Sequence, residues 1–292
     1  MQLDQIYRPL TAHPFSLQAL TQEYPPCAAL RPYVRCFWGS AAPGGAEQPT
    51  LVTPDTCADV IFRVDHGTGA VSASFCGVGD QPFLSQPNPA GATGDAGRYS
   101  LFAIRFYAWT AALFAQQGMQ ETQNGSFAAE QYFPQLCRAL APQLPYLPGI
   151  ASRIRAAETF LLSRLGALRP SPALEQAVGA LVLAHGNLRA TKLADEVFLS
   201  PRQLQRLFAE QVGVSPKTLA RLIRYQCLWR DVMAPRFDVQ DAVYRYGFTD
   251  QAHLQRAFKQ CHTMTPQQAR RQVLDERAKY VAFLQSRSLA VR

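Results

Sequence analysis

The chain has 292 residues, of which 48% are hydrophobic and 17% charged, so it can build ordinary buried cores and is not a disordered polymer. Its length predicts about two domains. The net charge of +8 lies wholly in the last two-fifths: residues 1–170 hold 11 Arg and 11 acidic residues, whereas residues 171–292 hold 18 Lys and Arg against 10 acidic residues. A neutral half joined to a basic half predicts a sensing or assembly module attached to one that binds a polyanion.

The sequence shows no membrane or export signal. Its apolar runs are about eight residues long, well below the ~18 residues that a membrane helix needs. The N-terminus, MQLDQIYRPL, lacks the basic start and apolar run of a secretory signal. The seven cysteines are scattered and form no C-x-x-C pair, which argues against a disulfide framework or a zinc module. We therefore expect a cytoplasmic protein with no cofactor, no metal and no membrane partner.

The first third of the chain is predicted to be rich in β-strands. Short runs of β-branched and aromatic residues fall at 33–38, 58–64, 70–78 and 98–107, and Gly, Pro and Asp cluster between them. Residues 85–97 read as a long polar loop. Residues 108–117 read as a short helix that follows the last strand.

Prolines then mark a connector. Pro142, Pro145 and Pro148 stand close together, and RPSP at 169–172 breaks the chain again. Between them, residues 150–168 carry a helical stripe, which could pack on the β-rich domain or pair with a second copy of the chain. The expected organisation is a sensing or dimerisation domain at 1–141, a linker with a helix at 142–172, a helical domain at 173–275 and a tail at 276–292.

A helix-turn-helix pattern begins near Thr191. An apolar face on a short helix is followed by a turn at 198–200, and Ser200 with Pro201 forms an N-terminal capping signal for the next helix. Leu204 and Phe208 face inward in this second helix, which leaves Arg and Gln side chains outside. These side chains can form paired hydrogen bonds with guanine and adenine edges in the major groove.

The pattern repeats 50 residues later. A helix capped near Asp238 leads to a turn at 247–249, where Gly247 can take a left-handed conformation, and Asp250 can cap the helix that follows. The inward cores match as LQRLF at 204–208 and LQRAF at 254–258. Two such units joined by a long helix predict a double reader of DNA.

Here the sequence resembles the AraC family of transcription regulators over about residues 173–275. The resemblance rests on GFTDQAHLQRAFKQ with TPQQARR, on GVSP at 213–216, and on a long connecting helix at 219–233 that contains Arg224. It implies that the DNA-binding residues are Arg202, Gln203, Gln205, Arg206, Lys217, Gln251, Gln255, Arg256 and Lys259. The Lys residues and Arg224 would serve phosphates or internal ion pairs. His262, where relatives usually have Gly, and Ala252, where they often have a polar residue, depart from the family pattern.

The segment at about 20–140 resembles a poorly characterised domain that precedes AraC-type DNA-binding domains, through PPCAALRPYVRCFWGS, PDTCADVIF and FAIRFYAWTAALFA. This resemblance implies a cupin-like β-barrel, and hence an α+β protein overall. The candidate effector-pocket residues are Trp38, Asp55, Asp59, Arg105 and Tyr107. The implied partner is double-stranded DNA, with an unknown small-molecule effector, RNA polymerase and a second copy of the chain as further candidates.

Two other interpretations stay open. Cys36, Cys57 and Cys76 fall on or beside predicted strands and could converge on a soft metal or an oxidant, which would make the protein a redox- or metal-responsive regulator. An enzyme domain fused to a DNA-binding domain is the other, although GxSxG, P-loop and HExxH motifs are missing and we expect no enzyme.

Overall fold

The structure, a computed structural model, describes residues 3–10, 22–39, 50–85 and 99–275. Its first part is built on β-strands. The elements are α1 (Leu3–Ile6), β1 (Gln22–Tyr24), β2 (Val34–Gly39), β3 (Thr50–Val52), β4 (Cys57–Asp65), β5 (Val71–Cys76), β6 (Phe83–Ser85), β7 (Tyr99–Tyr107) and β8 (Ser126–Ala128). The four predicted strands are confirmed as β2, β4, β5 and β7. The predicted loop at 85–97 lies almost wholly outside the described residues.

The strands form an open sheet. Six of them pair antiparallel in the order β1-β2-β7-β4-β5-β8, and β3 pairs separately with β6. The described part of this half is therefore rich in sheet, as expected, but its main sheet has two edges and does not close into a barrel.

The predicted helix at 108–117 is wrong. The segment forms turns and a single 3-10 turn at Ala111–Leu113. Ala108, Trp109 and Ala111 are all buried, so the segment has no polar face that an amphipathic helix could turn to solvent. The hydroxyl of Thr110 also donates to the carbonyl of Tyr33 at 2.6 Å, which ties the segment to the start of β2.

One face of the sheet carries the core of this half. Alternate residues such as Phe62, Phe102 and Phe106 point to the same side because side chains alternate along a strand. They pack against three helices, α2 (Ala129–Tyr132), α3 (Pro134–Leu140) and α4 (Gly149–Arg164). The helical stripe predicted at 150–168 belongs to α4, and its residues Ala157 and Leu161 are fully buried against the sheet. These residues of the stripe are therefore used for packing on the sheet.

The second part is helical throughout the described residues. Its elements are α5 (Pro172–Leu183), α6 (Ala190–Glu196), α7 (Pro201–Gln211), α8 (Pro216–Met233), α9 (Val239–Arg245) and α10 (Gln251–His262), followed by a helix over 266–275. Four of these helices begin at a Ser-Pro or Thr-Pro pair, with the hydroxyl residue as cap and proline in the first turn. Within the described ranges, no helix is long and apolar enough to cross a bilayer.

The two parts pack on each other around α8. Tyr7, Val78 and Trp109 belong to the same buried cluster as the helical core. The backbone N–H of Met119 donates to the carbonyl of Glu210 near the end of α7 at 2.8 Å, and Arg221 on α8 forms an ion pair with Asp80. The helical part is thus positioned by direct contacts with the sheet part.

Candidate nucleic-acid interface

The first helix-turn-helix unit consists of α6 and α7. The connecting turn passes through Phe198, which has a left-handed φ of 54°, and the N–H of Leu199 donates to the carbonyl of Ala194 at 3.0 Å. Ser200 then starts α7 with a capping box: its hydroxyl accepts from the N–H of Gln203, and its own N–H donates to the Gln203 side chain. Leu204 and Phe208 are buried as predicted, so they fix the direction in which the outer face of α7 points.

The second unit, α9 and α10, repeats this geometry with a turn that is one residue longer. The left-handed residue is Gly247, with φ 64°, and the N–H of Phe248 donates to the carbonyl of Val243 at 2.9 Å. Two residues lie between Gly247 and the capping residue Asp250, whereas one lies between Phe198 and Ser200. Asp238 and Asp250 cap their helices as predicted.

The second helices of the two units, α7 and α10, are the recognition helices, and they present the predicted polar residues to solvent with two differences. Arg202, Gln205, Arg206, Gln251, Arg256 and Lys259 are exposed, as is Lys217 at the start of α8, and Gln255 is half-buried. Gln203 is also exposed, but its side-chain oxygen accepts from the N–H and the hydroxyl of Ser200 at 2.9 and 2.8 Å. We therefore expect Gln203 to hold the start of α7 rather than read a base. Arg206 lies 3.9 Å from Glu210, and both side chains are well exposed, so this pair restrains Arg206 little.

Arg224 fixes the two units relative to each other. From the interior of α8, its guanidinium donates to the carbonyl of Gly186 at 3.0 Å and to the side chain of Asn187 at 3.2 Å, in the loop before α6. It also lies over the ring of Phe248, in the turn of the second unit, at 5.5 Å. Burial lowers the pKa of Arg224. Arg224 thus has an internal role, but its partners are a backbone carbonyl, an amide oxygen and an aromatic ring, so it does not form the internal ion pair that was one of its two implied roles.

A cleft of about 480 Å³ separates the two units. Its lining includes five basic side chains and no carboxylate from the described residues: Arg189, Lys217, Arg221, Arg224 and His253. Residues of both units and of α8 contribute to it; Arg189, Lys217 and Arg224 bring positive charge, whereas Arg221 is paired with Asp80. Sequence reasoning missed this cleft and Asn187, because neither belongs to a local motif.

Thr263, and not His262, stands at the position where relatives usually have Gly. His262 is the last residue of α10 and is buried, with its Nδ1 2.7 Å from the Tyr225 hydroxyl and its ring 4.3 Å from the Trp229 ring. Thr263 takes the left-handed conformation, with φ 63°. The equivalent residue of the first unit, 50 positions earlier, is Gly213, with φ 82°. The two helices therefore end in the same way, and Thr263 stands where glycine fits best.

Four of the five predicted pocket residues meet in one cluster on the second face of the sheet. Arg105 binds both carboxylate oxygens of Asp59 at 3.0 Å and lies 3.5 Å from Asp55, while the Trp38 ring N–H donates to Asp59 at 2.8 Å. Burial acts to lower the pKa of Arg105, but Asp59 and Asp55 outweigh it and raise the pKa well above its usual value. Glu23, at 3.8 Å from Arg105, also belongs to this Arg105 cluster and was missed.

Tyr107, the fifth predicted pocket residue, lies apart from the Arg105 cluster. Its ring stacks on Trp109 with centroids 5.1 Å apart, at the junction with the helical part. Burial raises the pKa of Tyr107 to about 12. This residue therefore belongs to the packing between the two parts of the chain.

The three cysteines singled out in the sequence do not converge. Across the sheet, Cys36 pairs in register with Arg105, Arg105 pairs with Asp59, and Asp59 pairs with Cys76. Cys36 and Cys76 are therefore three strand spacings apart, which is roughly 14 Å at about 4.8 Å for each spacing. Burial raises the pKa of Cys36, Cys57 and Cys76 and keeps them as thiols. Among the described residues, no group of His, Cys, Asp and Glu is arranged to hold a metal ion.

Comparison with known families assigns both parts of the chain. Residues 193–272 match a helix-turn-helix domain family, and residues 22–127 match a domain of unknown function. No curated protein matches the sequence.

Solved structures of two regulators are also similar to the chain. A transcriptional regulator with an AraC-type DNA-binding domain from Chromobacterium violaceum has 23% identity and a TM-score of 0.33, over 35% of this chain and 92% of that one. ToxT from Vibrio cholerae O395 has 11% identity and a TM-score of 0.38, over 80% of this chain and 96% of that one. ToxT with an unsaturated fatty acid bound has 10% identity and a TM-score of 0.37, over 78% and 92% of the two chains.

Proposed function

We propose that this chain, in which residues 193–272 are an AraC-type helix-turn-helix domain, is a bacterial transcription regulator that binds specific DNA sequences in the cytoplasm. The observation that carries the proposal is the pair of capped recognition helices, α7 and α10, held on one buried helix with Arg and Gln side chains outside. Arg can bond guanine through two donors and Gln can bond adenine in the same paired way, so this combination suits base reading in the major groove.

The cleft between the units supports the same proposal. Two recognition helices that enter successive major grooves on one face of DNA lie on either side of the minor groove between them, and the sugar-phosphate backbone passes between the helices. The basic side chains of the cleft, among them Arg189 and Lys217, would meet that backbone. Phosphate contacts position the protein, while the outer faces of α7 and α10 would supply the specificity.

The proposal is tested by DNA binding at several salt concentrations. The double variant Arg202→Ala/Arg206→Ala should bind duplex DNA at least about tenfold more weakly and with a smaller salt dependence, because it removes two cationic contacts. The matched control is Arg138→Ala/Arg164→Ala, which removes the same charge from exposed positions in the sheet part. Equal loss of affinity in both variants would contradict an interface at α7.

We also propose that the sheet part controls DNA binding in response to a small effector. It contacts both α7, through Met119, and α8, through Pro54 and Asp80, so a change in its docking would move the first recognition helix. An effector acts in this way only if it binds the two arrangements with different affinity. The variant Gln226→Ala weakens the docking without substituting any residue of α7 or α10; DNA affinity identical to that of the unaltered protein would contradict the coupling.

A further inference from the structure

A second cavity, of about 320 Å³, lies where three separate segments meet. Residues 5–10 form most of its wall, β2 contributes Arg35, and α8 contributes Arg230. Three of its lining residues are arginines, since Arg8 is among residues 5–10. Its volume is at the lower end of the range of small-molecule sites. The cavity therefore joins the N-terminal segment, the sheet and the long helix of the DNA-binding domain.

Backbone carbonyl groups hold the three guanidinium groups in place. Arg8 donates to the carbonyl of Asp4 at 3.2 Å, Arg35 donates to the carbonyl of Pro9 at 3.1 Å, and Arg230 donates to the carbonyl of Arg8. Each of these bonds uses one of the five N–H donors of a guanidinium. The cavity side chains are thus oriented without neutralising their charge.

The described part of the cavity wall itself carries no negative charge, although the buried carboxylate of Asp4 directly precedes the segment that forms most of it. In the described ranges, the cavity lining holds no carboxylate, and Arg8 and Arg230 form no ion pair. Arg35 has one acidic neighbour, Glu23, at 3.6 Å, and the same carboxylate also lies 3.8 Å from Arg105. Three like charges around one small cavity repel one another, and an anion placed between them would relieve that repulsion.

We propose that this cavity binds a small organic anion, one whose charged end is a carboxylate or a phosphate. A planar guanidinium group can donate two parallel hydrogen bonds to two oxygens of a carboxylate or of a phosphate, which favours an oxyanion over a halide. The rest of the wall, with Ile6, Pro9 and Leu10, offers apolar surface to a short hydrocarbon portion. Ile6 is 44% exposed, so the cavity can be entered from solvent.

Such an anion would stabilise the docking of the sheet part on α8, because Arg35 and Arg230 come from the two sides of that contact. This consequence rests on the proposed function, since it makes the anion an effector of DNA binding. Reciprocity requires that an anion which changes DNA affinity is itself bound with changed affinity in the presence of DNA. The binding site itself depends only on the geometry of the cavity.

Isothermal titration calorimetry of the full chain without DNA tests the site. The probes are acetate, octanoate, inorganic phosphate and hexyl phosphate. We expect an anion with a hydrocarbon portion to bind more tightly than its short counterpart. The octanoate and hexyl phosphate arms tell whether the site takes a carboxylate or a phosphate.

Three variants and a control accompany the titration. Arg35→Gln and Arg230→Gln should each weaken binding about tenfold or more, because each removes a charge-assisted contact from a different segment. Arg230→Lys keeps the charge but not the paired geometry, so its affinity should be intermediate. Arg138→Gln, exposed on α3, removes the same charge elsewhere and should leave binding unchanged.

The outcomes separate the two proposals. If none of the four probes binds at millimolar concentration, or if the Arg35 and Arg230 variants bind as tightly as the control, the anion site is overturned whatever the DNA experiments show. If the anions bind as expected while the chain fails to bind DNA, the site stands and the proposed function falls.

Discussion

The side-chain N–H of Gln226, in the middle of α8, donates to the backbone carbonyl of Pro54 at 3.0 Å. Gln226 is fully buried, and its side-chain oxygen accepts from the N–H of Leu10 at 2.7 Å. One amide thus satisfies two backbone groups from different segments of the sheet part. It makes the centre of the DNA-binding domain's long helix a part of the junction between the two halves.

Replacing Gln226 with Ala should destabilise the chain by about 2 to 4 kcal/mol, because the Pro54 carbonyl and the Leu10 N–H would lose their partner. Urea unfolding followed by tryptophan fluorescence measures this loss. The control is Gln240→Ala, an exposed residue in the first turn of α9, for which we expect a change of no more than about 0.5 kcal/mol. A loss for Gln226→Ala as small as that of the control would show that the junction is not formed in solution.

Substitutions at the two helix ends, Gly213 and Thr263, should change the stability of the chain in opposite directions. Thr263→Gly should stabilise the chain by about 0.5 to 1 kcal/mol, since the left-handed conformation strains a β-branched residue more than the added flexibility of Gly costs. Gly213→Ala should destabilise it by about 2 kcal/mol or more. The added carbon at residue 213 would lie 2.5 Å from the Thr122 hydroxyl and 2.8 Å from the Met119 carbonyl.

Thermal unfolding of these two variants, compared with the unaltered chain, is the measurement. A loss of stability in Thr263→Gly would mean that the second unit does not end with a left-handed residue at 263.

Thiol reactivity tests the burial of the cysteines. Burial raises the pKa of Cys227 and of Cys261 to about 11, and Cys36, Cys57 and Cys137 are also buried. Native protein at pH 8 should therefore react quickly with Ellman's reagent only at the half-buried Cys27, and more slowly at Cys76, whose pKa burial raises, whereas unfolded protein should react at all seven. Fast labelling at Cys36 or Cys57 would revive the redox interpretation.

The same shifts predict a loss of stability at high pH. An unfolded thiol ionises near pH ~8.5, whereas the folded thiols of Cys227 and Cys261 stay protonated up to about pH 11. Their folded pKa values are raised, so the contribution to stability is complete below about pH 8.5 and is lost as the pH rises towards 11. Urea unfolding at pH 8 and pH 10 should show lower stability at pH 10; equal stability would contradict these shifts.

Local chemistry made the helical part predictable from the sequence. Ser200 with Pro201, and Asp250 before Gln251, are capping signals whose partners lie within three residues, so helix starts follow from short stretches of chain. The glycine position of the family pattern was assigned one residue too early, to His262, because the packing of that ring on Trp229 is a tertiary contact.

The sheet part was less predictable for a related reason. The strands β1, β3, β6 and β8 are three residues long, too short to show an alternation of polar and apolar residues. Gln226 reaches Pro54 and Leu10 across 172 and 216 residues of sequence, and the cavity of Arg8, Arg35 and Arg230 depends on that same docking. No local pattern encodes contacts at such separations.

The most direct test of the central claim is selection of binding sites from random duplex DNA by the full chain, repeated with Arg206→Ala and Arg256→Ala. The two helices should select a site with two blocks about 10 base pairs apart, and each substitution should relax the preference in its own block while leaving the other intact. A site without two blocks, or two variants that lose the same block, would contradict the assignment of α7 and α10 as separate readers of one DNA sequence.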